Sequence, residues 1–483
     1  MIPYPPWANA GDTAWQLAAA TLVGLMSLPG LAVLYGGIVQ KKWAVNTMLM
    51  AFTGFSLVLL VWVLWGFHMG FGKPLHLGPG ILGAFIGIPG TLLGAGVQNQ
   101  AHIPLLEGGM PAFHFSTTAL AYFQFVFAAI TPLLFLGSVV GRINFKVWLL
   151  FVPLWSTFAY SVNAFLLWGG GWWAQAPRGA LDFSGGYVIH LAAGTSGFVA
   201  AAVIGPRLAR DRARAVPNNL PMAAVGAGIL WLGWNGFNGG DPYFAGANAS
   251  IAVLNTNLAT ATALLTWVLM DMFFSPQRKP TFLGAVNGMI AGLVGITPAA
   301  GFVNGFGALL IGLIGSIVVW LSWNKLARTK LLQKVDDALG VVHTHGVAGL
   351  TGGLLVGLLA DPHIAEYLNK DGTAGVSGAG LFYGNPKQLA VQAGAALTVI
   401  VWDALVTFLI LKFLGLFMSL RASNEALEVG DVAVHDEEAY PDDTLVHAGL
   451  VDPAATTRPA HTPPTSGSAS AAGAARGADP GGD

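Results

Sequence analysis

The chain contains no cysteine, which excludes disulfides, thiol nucleophiles and cysteine-ligated metals. Charge is almost as scarce. Asp, Glu, Lys and Arg make up 9% of the residues, against about 25% in a soluble protein of ordinary composition. A net charge of −1 provides no basic field for nucleic acid. No nucleophile–base set, phosphate-cradling glycine loop or metal-ligating cluster is evident, so the sequence points to no enzyme, metal or cofactor. The N-terminus lacks a basic segment followed by an apolar stretch, so no cleaved leader is expected.

What is present is apolar length. Hydrophobic residues form 54% of the chain, gathered in runs of about 20, the length that crosses a bilayer core. These predict an all-α integral membrane protein with eleven transmembrane helices, near 13–36, 45–70, 115–139, 146–168, 186–206, 220–238, 247–273, 281–298, 301–323, 341–360 and 389–417. Asp12 stands near the N-cap of the first. The Gly/Pro-rich segment 72–114 reads as an irregular outer loop, with 80–96 open as a short re-entrant piece.

Basic residues set the orientation. Lys41, Lys42, Arg142, Lys146, Arg207, Arg210, Arg212, Arg214, Arg278, Lys279, Lys325, Arg328, Lys330, Lys334, Lys412 and Arg421 fall on one side, and Lys73, Arg178, Lys370 and Lys387 on the other. The side richer in Lys and Arg is the cytoplasmic one. The expected arrangement is multi-pass in the cell membrane, N-terminus outside and C-terminus in the cytoplasm. Residues 1–421 form the transmembrane domain and 422–452 a polar, acidic cytoplasmic region. Residues 453–483, rich in Ala, Pro, Thr, Ser and Gly, carry the composition of a disordered tail.

Two segments repeat. His190-Leu-Ala-Ala-Gly-Thr-Ser-Gly197 and His345-Gly-Val-Ala-Gly-Leu-Thr-Gly352 both fit H-x-x-A-G-x-x-G and open the fifth and tenth spans. An offset of five spans reverses direction through the membrane. The pattern predicts an inverted five-helix repeat plus one extra helix, with the substrate site between the halves. Histidine within a span faces a cavity or a partner. One lone histidine is accounted for by a hydrogen bond to a neighbouring helix; a repeat-related pair points to a shared site.

Several longer stretches resemble the ammonium transporter family, the Amt/Mep/Rh superfamily, and its bacterial Amt branch in particular. They are SLPGLAVLYGGIVQKK at 27–42, FQFVFAAITPLLFLGSVVGRINF at 123–145, WGGGWWAQAPRGALDFSGGYVIH at 168–190, LGWNGFNGG at 232–240 and GLVGITPAAGF at 292–302. They occur in family order, over about Asp12 to Arg421. The resemblance implies a homotrimer with one pore through each subunit. It also implies transport of ammonium or ammonia, and a PII-type nitrogen regulatory protein as a partner on the cytoplasmic face, where RASNEALEVGD at 421–431 resembles the family's cytoplasmic segment.

The resemblance assigns roles residue by residue. Trp168, Phe123 and Phe127 match the aromatics that recruit ammonium at the outer vestibule, and Phe127 with Phe237 the outer gate. A cation over an indole face gains about 0.5–2 kcal/mol. Asp182 matches the acidic residue beneath the vestibule; its carboxylate suits helix capping and proton handling alike. His190 and His345 match the twin histidines of the pore. A bare cation is strongly disfavoured in an apolar tube whereas neutral ammonia is not, so deprotonation at the mouth rejects potassium. Histidine titrates near neutral pH, which makes a proton relay feasible and net charge transfer the expectation. Thr297 and Tyr187 are further candidates for lining the pore, Tyr187 standing where threonine is common.

Three further residues depart from the family pattern. Asp241 replaces a serine of the recruitment site; it reads either as an added cation attractor or as an ordinary loop aspartate. His343 precedes His345 by two residues, a poor geometry for a shared metal ion. Asp403, in the eleventh span, suits the trimer interface or pairing with a polar group. A passive Rh-like ammonia channel and an ammonium sensor are the competing functions. Sensors of this kind carry an appended signalling domain, which the tail is too short to supply.

Overall fold

The computed structural model describes residues 8–98, 113–175, 178–330, 332–368 and 374–441, with backbone alone at 365–368 and 374–377. Eleven membrane-length or near-membrane-length helices fall where the hydropathy places them. They are α1 (Ala10–Ile38), α2 (Lys41–Phe71), α3 (Thr117–Val139), α4 (Phe145–Leu167), α5 (Gly186–Ile204), α6 (Leu220–Gly239), α7 (Ala247–Phe274), α8 (Phe282–Ile296), α9 (Gly305–Arg328), α10 (Val342–Leu359) and α11 (Pro386–Leu414). Ten are long and apolar enough to cross a bilayer, and α8 is shorter. Boundaries follow capping chemistry. Ser116, Asn144, Thr281 and Asn304 each accept a backbone N–H from the first turn of the helix they precede, satisfying donors that a helix cannot satisfy itself. Asn9, not Asp12, caps α1; Asp12 lies within the first turn and accepts from the Ala245 amide at 2.8 Å.

The packing repeats between halves. α2 packs on α3 and α4, and α7 packs on α8 and α9; α3 packs on α5, and α8 on α10. The motif glycines explain the last pair. A Cβ at Gly197 would lie 2.4 Å from Ser138 Oγ of α3, and one at Gly352 would lie 2.1 Å from the Gly295 carbonyl of α8. Where α5 meets α10 the backbones touch: a Cβ at Gly194 would stand 2.2 Å from Gly346 Cα, and one at Gly349 2.5 Å from the Gly186 carbonyl. Small residues permit this close approach between membrane helices. Both helices open in a π-turn, Gly186–Leu191 and Val342–Val347, and each turn carries its histidine. π-turns of this kind are frequent at functional sites.

α3 is the most enclosed helix, 94% buried over its apolar window. α11 packs against α4, α5 and α10. Its 29 residues measure about 43 Å at about 1.5 Å per residue, longer than a hydrocarbon core of about 30 Å, which a tilt accommodates. Leu397, Val401, Leu405, Phe408 and Leu409 remain exposed along it, as do Leu254, Leu265, Leu269 and Phe273 on α7. Such outward apolar stripes suit lipid rather than water.

Between α2 and α3 the described residues form a short 3₁₀ turn, Gly80–Ala84, and a four-residue helix, Ala95–Gln98; no re-entrant helix spans 80–96. Ala365–Leu368 and Ala374–Ser377 pair antiparallel in a small hairpin. After α11, two short helices, Asn424–Val429 and Asp431–His435, follow. The tail expected over 453–483 lies outside the described residues.

Candidate functional site

One part of the candidate site is aromatic. Phe123 and Phe127 sit one turn apart on α3, their centroids 4.7 Å apart. Phe127 stacks on Phe237 of α6 with centroids at 4.3 Å and planes 16° apart, and both rings are fully buried. Trp168, at the end of α4, meets Phe127 edge-on at 6.3 Å. Its indole N–H donates to the Asp182 carbonyl at 2.7 Å. The loop bearing Asp182 is thereby tied to the aromatic cluster.

Asp182 caps the π-turn that carries His190. One carboxylate oxygen accepts from the Tyr187 and Val188 amides, each at 3.0 Å. The other, Oδ1, is buried without a hydrogen-bond partner among the described residues. Beside it, Ser184 donates its hydroxyl to the Asp241 carboxylate. Asp241 is 3% exposed, which sets it apart from an ordinary loop aspartate.

His190 and His345 meet at the crossing of α5 and α10. Their Nδ1 atoms are 3.2 Å apart and the rings lie 23° from parallel. One Nδ1 must donate and the other accept. In a neutral pair, the donor ring's Nε2 is then an acceptor and its partner's Nε2 carries a proton. The pair therefore presents an acceptor at one end and a donor at the other. The Nε2 of His190 has no protein partner among the described residues.

Trp234, one turn before Phe237 on α6, is a member of the site that the sequence reading missed. Its ring stacks on His190 at 5.4 Å and 15°. Thr297 accepts from the Trp234 indole N–H at 2.9 Å and donates to the Leu293 carbonyl at 2.7 Å, so its hydroxyl is engaged in positioning that ring. An aromatic every turn, as in Trp234 and Phe237, is a signal that periodicity could have supplied. Tyr187 is buried with its ring over Gly353 of α10. His343 is drawn away from His345: its Nδ1 pairs with Ser322 Oγ at 2.8 Å and its ring meets Trp323. Asp403 is fully buried and accepts from the Asn163 amide of α4 at 2.7 Å, so it pairs with a polar group of its own chain. Among the described residues, no group of three or more His, Cys, Asp or Glu is placed to hold a metal.

The second half repeats the cap at the opposite end. Asp337 accepts from the Val341 and Val342 amides at 3.1 and 2.8 Å, and from Ser138 Oγ at 2.8 Å. Its neighbour Asp336 receives Arg207 through two side-chain bonds of 2.8 and 2.9 Å. Burial alone would raise the Asp336 carboxyl, but the Arg207 guanidinium holds it below the usual carboxylate range.

The sequence matches the model of the Ammonium Transporter Family over residues 14–440. It is 47% identical to ammonium transporter 3 member 2 of Oryza sativa subsp. japonica over 449 residues, 90% of each chain. It is 48% identical to ammonium transporter 2 of Arabidopsis thaliana over 441 residues, 90% of this chain and 89% of that one. Among solved structures it resembles Saccharomyces cerevisiae Mep2, with a TM-score of 0.74 at 29% identity, covering 87% of this chain and 90% of that one. It also resembles a protein described as a sensor Amt protein, with a TM-score of 0.73 at 26% identity, covering 88% and 98%. These two curated relatives are plant proteins. The chain, a multi-pass helical membrane protein, belongs to the ammonium transporter family.

Proposed function

We propose that the protein carries ammonium across the cell membrane by recruiting the cation at Trp168, Phe123, Phe127 and Asp241, removing its proton near Asp182, and passing ammonia between Phe127 and Phe237 to the His190–His345 pair. The observation that carries this reading is the histidine pair itself, buried directly behind a stacked phenylalanine gate. An apolar passage closed by two rings disfavours a hydrated metal ion, because a desolvated charge is costly without a counter-charge. A neutral ligand with one lone pair and three N–H groups can use both the acceptor and the donor ends of a neutral imidazole pair. The proton travels separately, which makes transport electrogenic. We place the N-terminus outside and the C-terminus in the cytoplasm, three copies in the assembly, and a PII-type regulator on the cytoplasmic face.

Transient currents recorded from proteoliposomes on ammonium jumps test this. The expected result is a saturable current with ammonium and none with potassium, lost or altered in selectivity in His190→Ala. Internal alkalinisation without current would replace the electrogenic reading with a passive ammonia channel. Silence in both assays would overturn transport by this route. A pull-down showing no nucleotide-dependent association with a PII protein would remove that partner.

A further inference from the structure

The basic residues at the cytoplasmic ends of the helices fall into two groups. Those before α6 are largely used by the fold. Lys42 bonds Asp211 at 3.0 Å, Arg207 bonds Asp336, Lys41 bonds Glu438 at 2.9 Å, and Arg210 bonds Glu428. Arg142 is buried and donates to the Gly205 and Asp336 carbonyls. Lys146, Arg212, Arg214, Arg278 and Lys279 are exposed without a side-chain partner among the described residues, and after α9 four more such cations follow in one cluster. Lys325, Arg328, Lys330 and Lys334 fall within ten residues, and all four are exposed. None forms a side-chain hydrogen bond or ion pair among the described residues.

An apolar groove adjoins this cluster. It is lined by Val318, Leu321, Leu326 and Val347, with Lys325 at its rim, and runs between the end of α9 and the opening turn of α10. Leu321 and Leu326 are 44% and 49% exposed. The two features have complementary needs. The groove offers apolar surface suited to hydrocarbon. The rim offers cations that form no ion pair among the described residues, at the depth where an anionic headgroup lies. A basic pocket between membrane helices on the cytoplasmic side is suited to such headgroups, and long Lys and Arg side chains reach outward to them.

We propose that the α9–α10 groove is a binding site for an anionic phospholipid of the inner leaflet, its acyl chain against Val318, Leu321, Leu326 and Val347 and its phosphate held by Lys325 with Arg328 and Lys330. A second copy of the chain fits the observations less well, because four like charges at a contact between copies would need acidic partners. The site depends on this end of α9 lying at the inner leaflet and not on which species the pore conducts.

Native mass spectrometry of the intact detergent-solubilised protein, titrated with phosphatidylglycerol or phosphatidylcholine, tests the site. The wild type is expected to bind phosphatidylglycerol in preference. Lys325→Gln/Arg328→Gln/Lys330→Gln should weaken that binding about tenfold or more and leave phosphatidylcholine binding unchanged. Val347→Trp, which fills the groove, should weaken both lipids. Arg212→Gln/Arg214→Gln removes two exposed cations that lie outside the groove and should leave both unchanged. Equal loss in this control would reduce the effect to diffuse surface charge and overturn the site. So would unchanged phosphatidylglycerol binding in the triple variant. A change of oligomeric state in Val347→Trp without any change in lipid occupancy would assign the groove to a contact between copies.

Discussion

The two histidine-bearing helices are built alike and finished differently. Asp182 and Asp337 each stand eight residues before their histidine. Each accepts two backbone amides at the opening π-turn. Helix N-termini favour negative charge, so both caps stabilise their helices. The difference lies in the remaining oxygen capacity. Asp337 also takes the Ser138 hydroxyl, and its neighbour Asp336 is held by Arg207. Asp182 keeps one oxygen without a partner among the described residues and lies beside the aromatic cluster. Symmetry supplies two caps, but among the described residues a spare acceptor exists only at the Asp182 cap, on the side of the aromatic cluster.

The comparison can be broken first at the Asp336–Asp337 end. Arg207→Gln removes the guanidinium paired with the Asp336 carboxylate, leaving Arg142 as the remaining cation beside it, and should destabilise the protein by about 2 kcal/mol, read as a loss of melting temperature in detergent. Because the folded Asp336 carboxyl lies below its unfolded value of about 3.9, the stabilisation is complete above that value and is lost as pH falls through the folded one. The wild-type stability contributed by this pair should therefore be flat between about pH 8 and pH 5.

The two caps are next separated by function. Asp182→Asn keeps an oxygen that can accept an amide but cannot bind a proton as a carboxylate does. It should lower ammonium current about 100-fold or more, the scale of one lost acid–base group, with a modest change in melting temperature. Asp337→Asn should do the reverse, costing about 1–2 kcal/mol of stability and sparing the current of the folded fraction. Equal loss of current in both would remove the functional distinction.

Smaller effects sharpen the symmetry itself. Gly194→Ala and Gly349→Ala each force a methyl into the facing backbone and should cost about 2 kcal/mol apiece, similarly in the two halves. Thr297→Val removes the acceptor of the Trp234 indole and should cost about 1 kcal/mol. Trp234 stacks on His190, so the selectivity of ammonium currents should change with it; an unchanged profile would make Thr297 purely structural.

Much of this was legible beforehand. The spans follow from the length an apolar run needs to cross a bilayer, and all eleven lie near their expected places. The short α8 still read as a span because Phe282–Ile296 is apolar throughout most of its length. The histidines were legible because both fall in one motif at an inverted offset, and the motif glycines mark the contact that brings them together. Of the two aspartates of that same repeat, Asp182 was recognised as a candidate cap and Asp337 was not. The cap is made through backbone amides, which leave no pattern in side-chain types beyond the spacing.

Sequence alone determined the membrane class, the eleven helices, the inverted repeat and the pairing of His190 with His345, because hydropathy and repetition are properties read along the chain. Tertiary structure decided the rest. Asp241 is buried against Ser184, Thr297 holds the ring that stacks on His190, and Asp403 is matched by Asn163 across α4 and α11. Each joins residues far apart in the chain, and which side chain meets which there is fixed by how the helices cross.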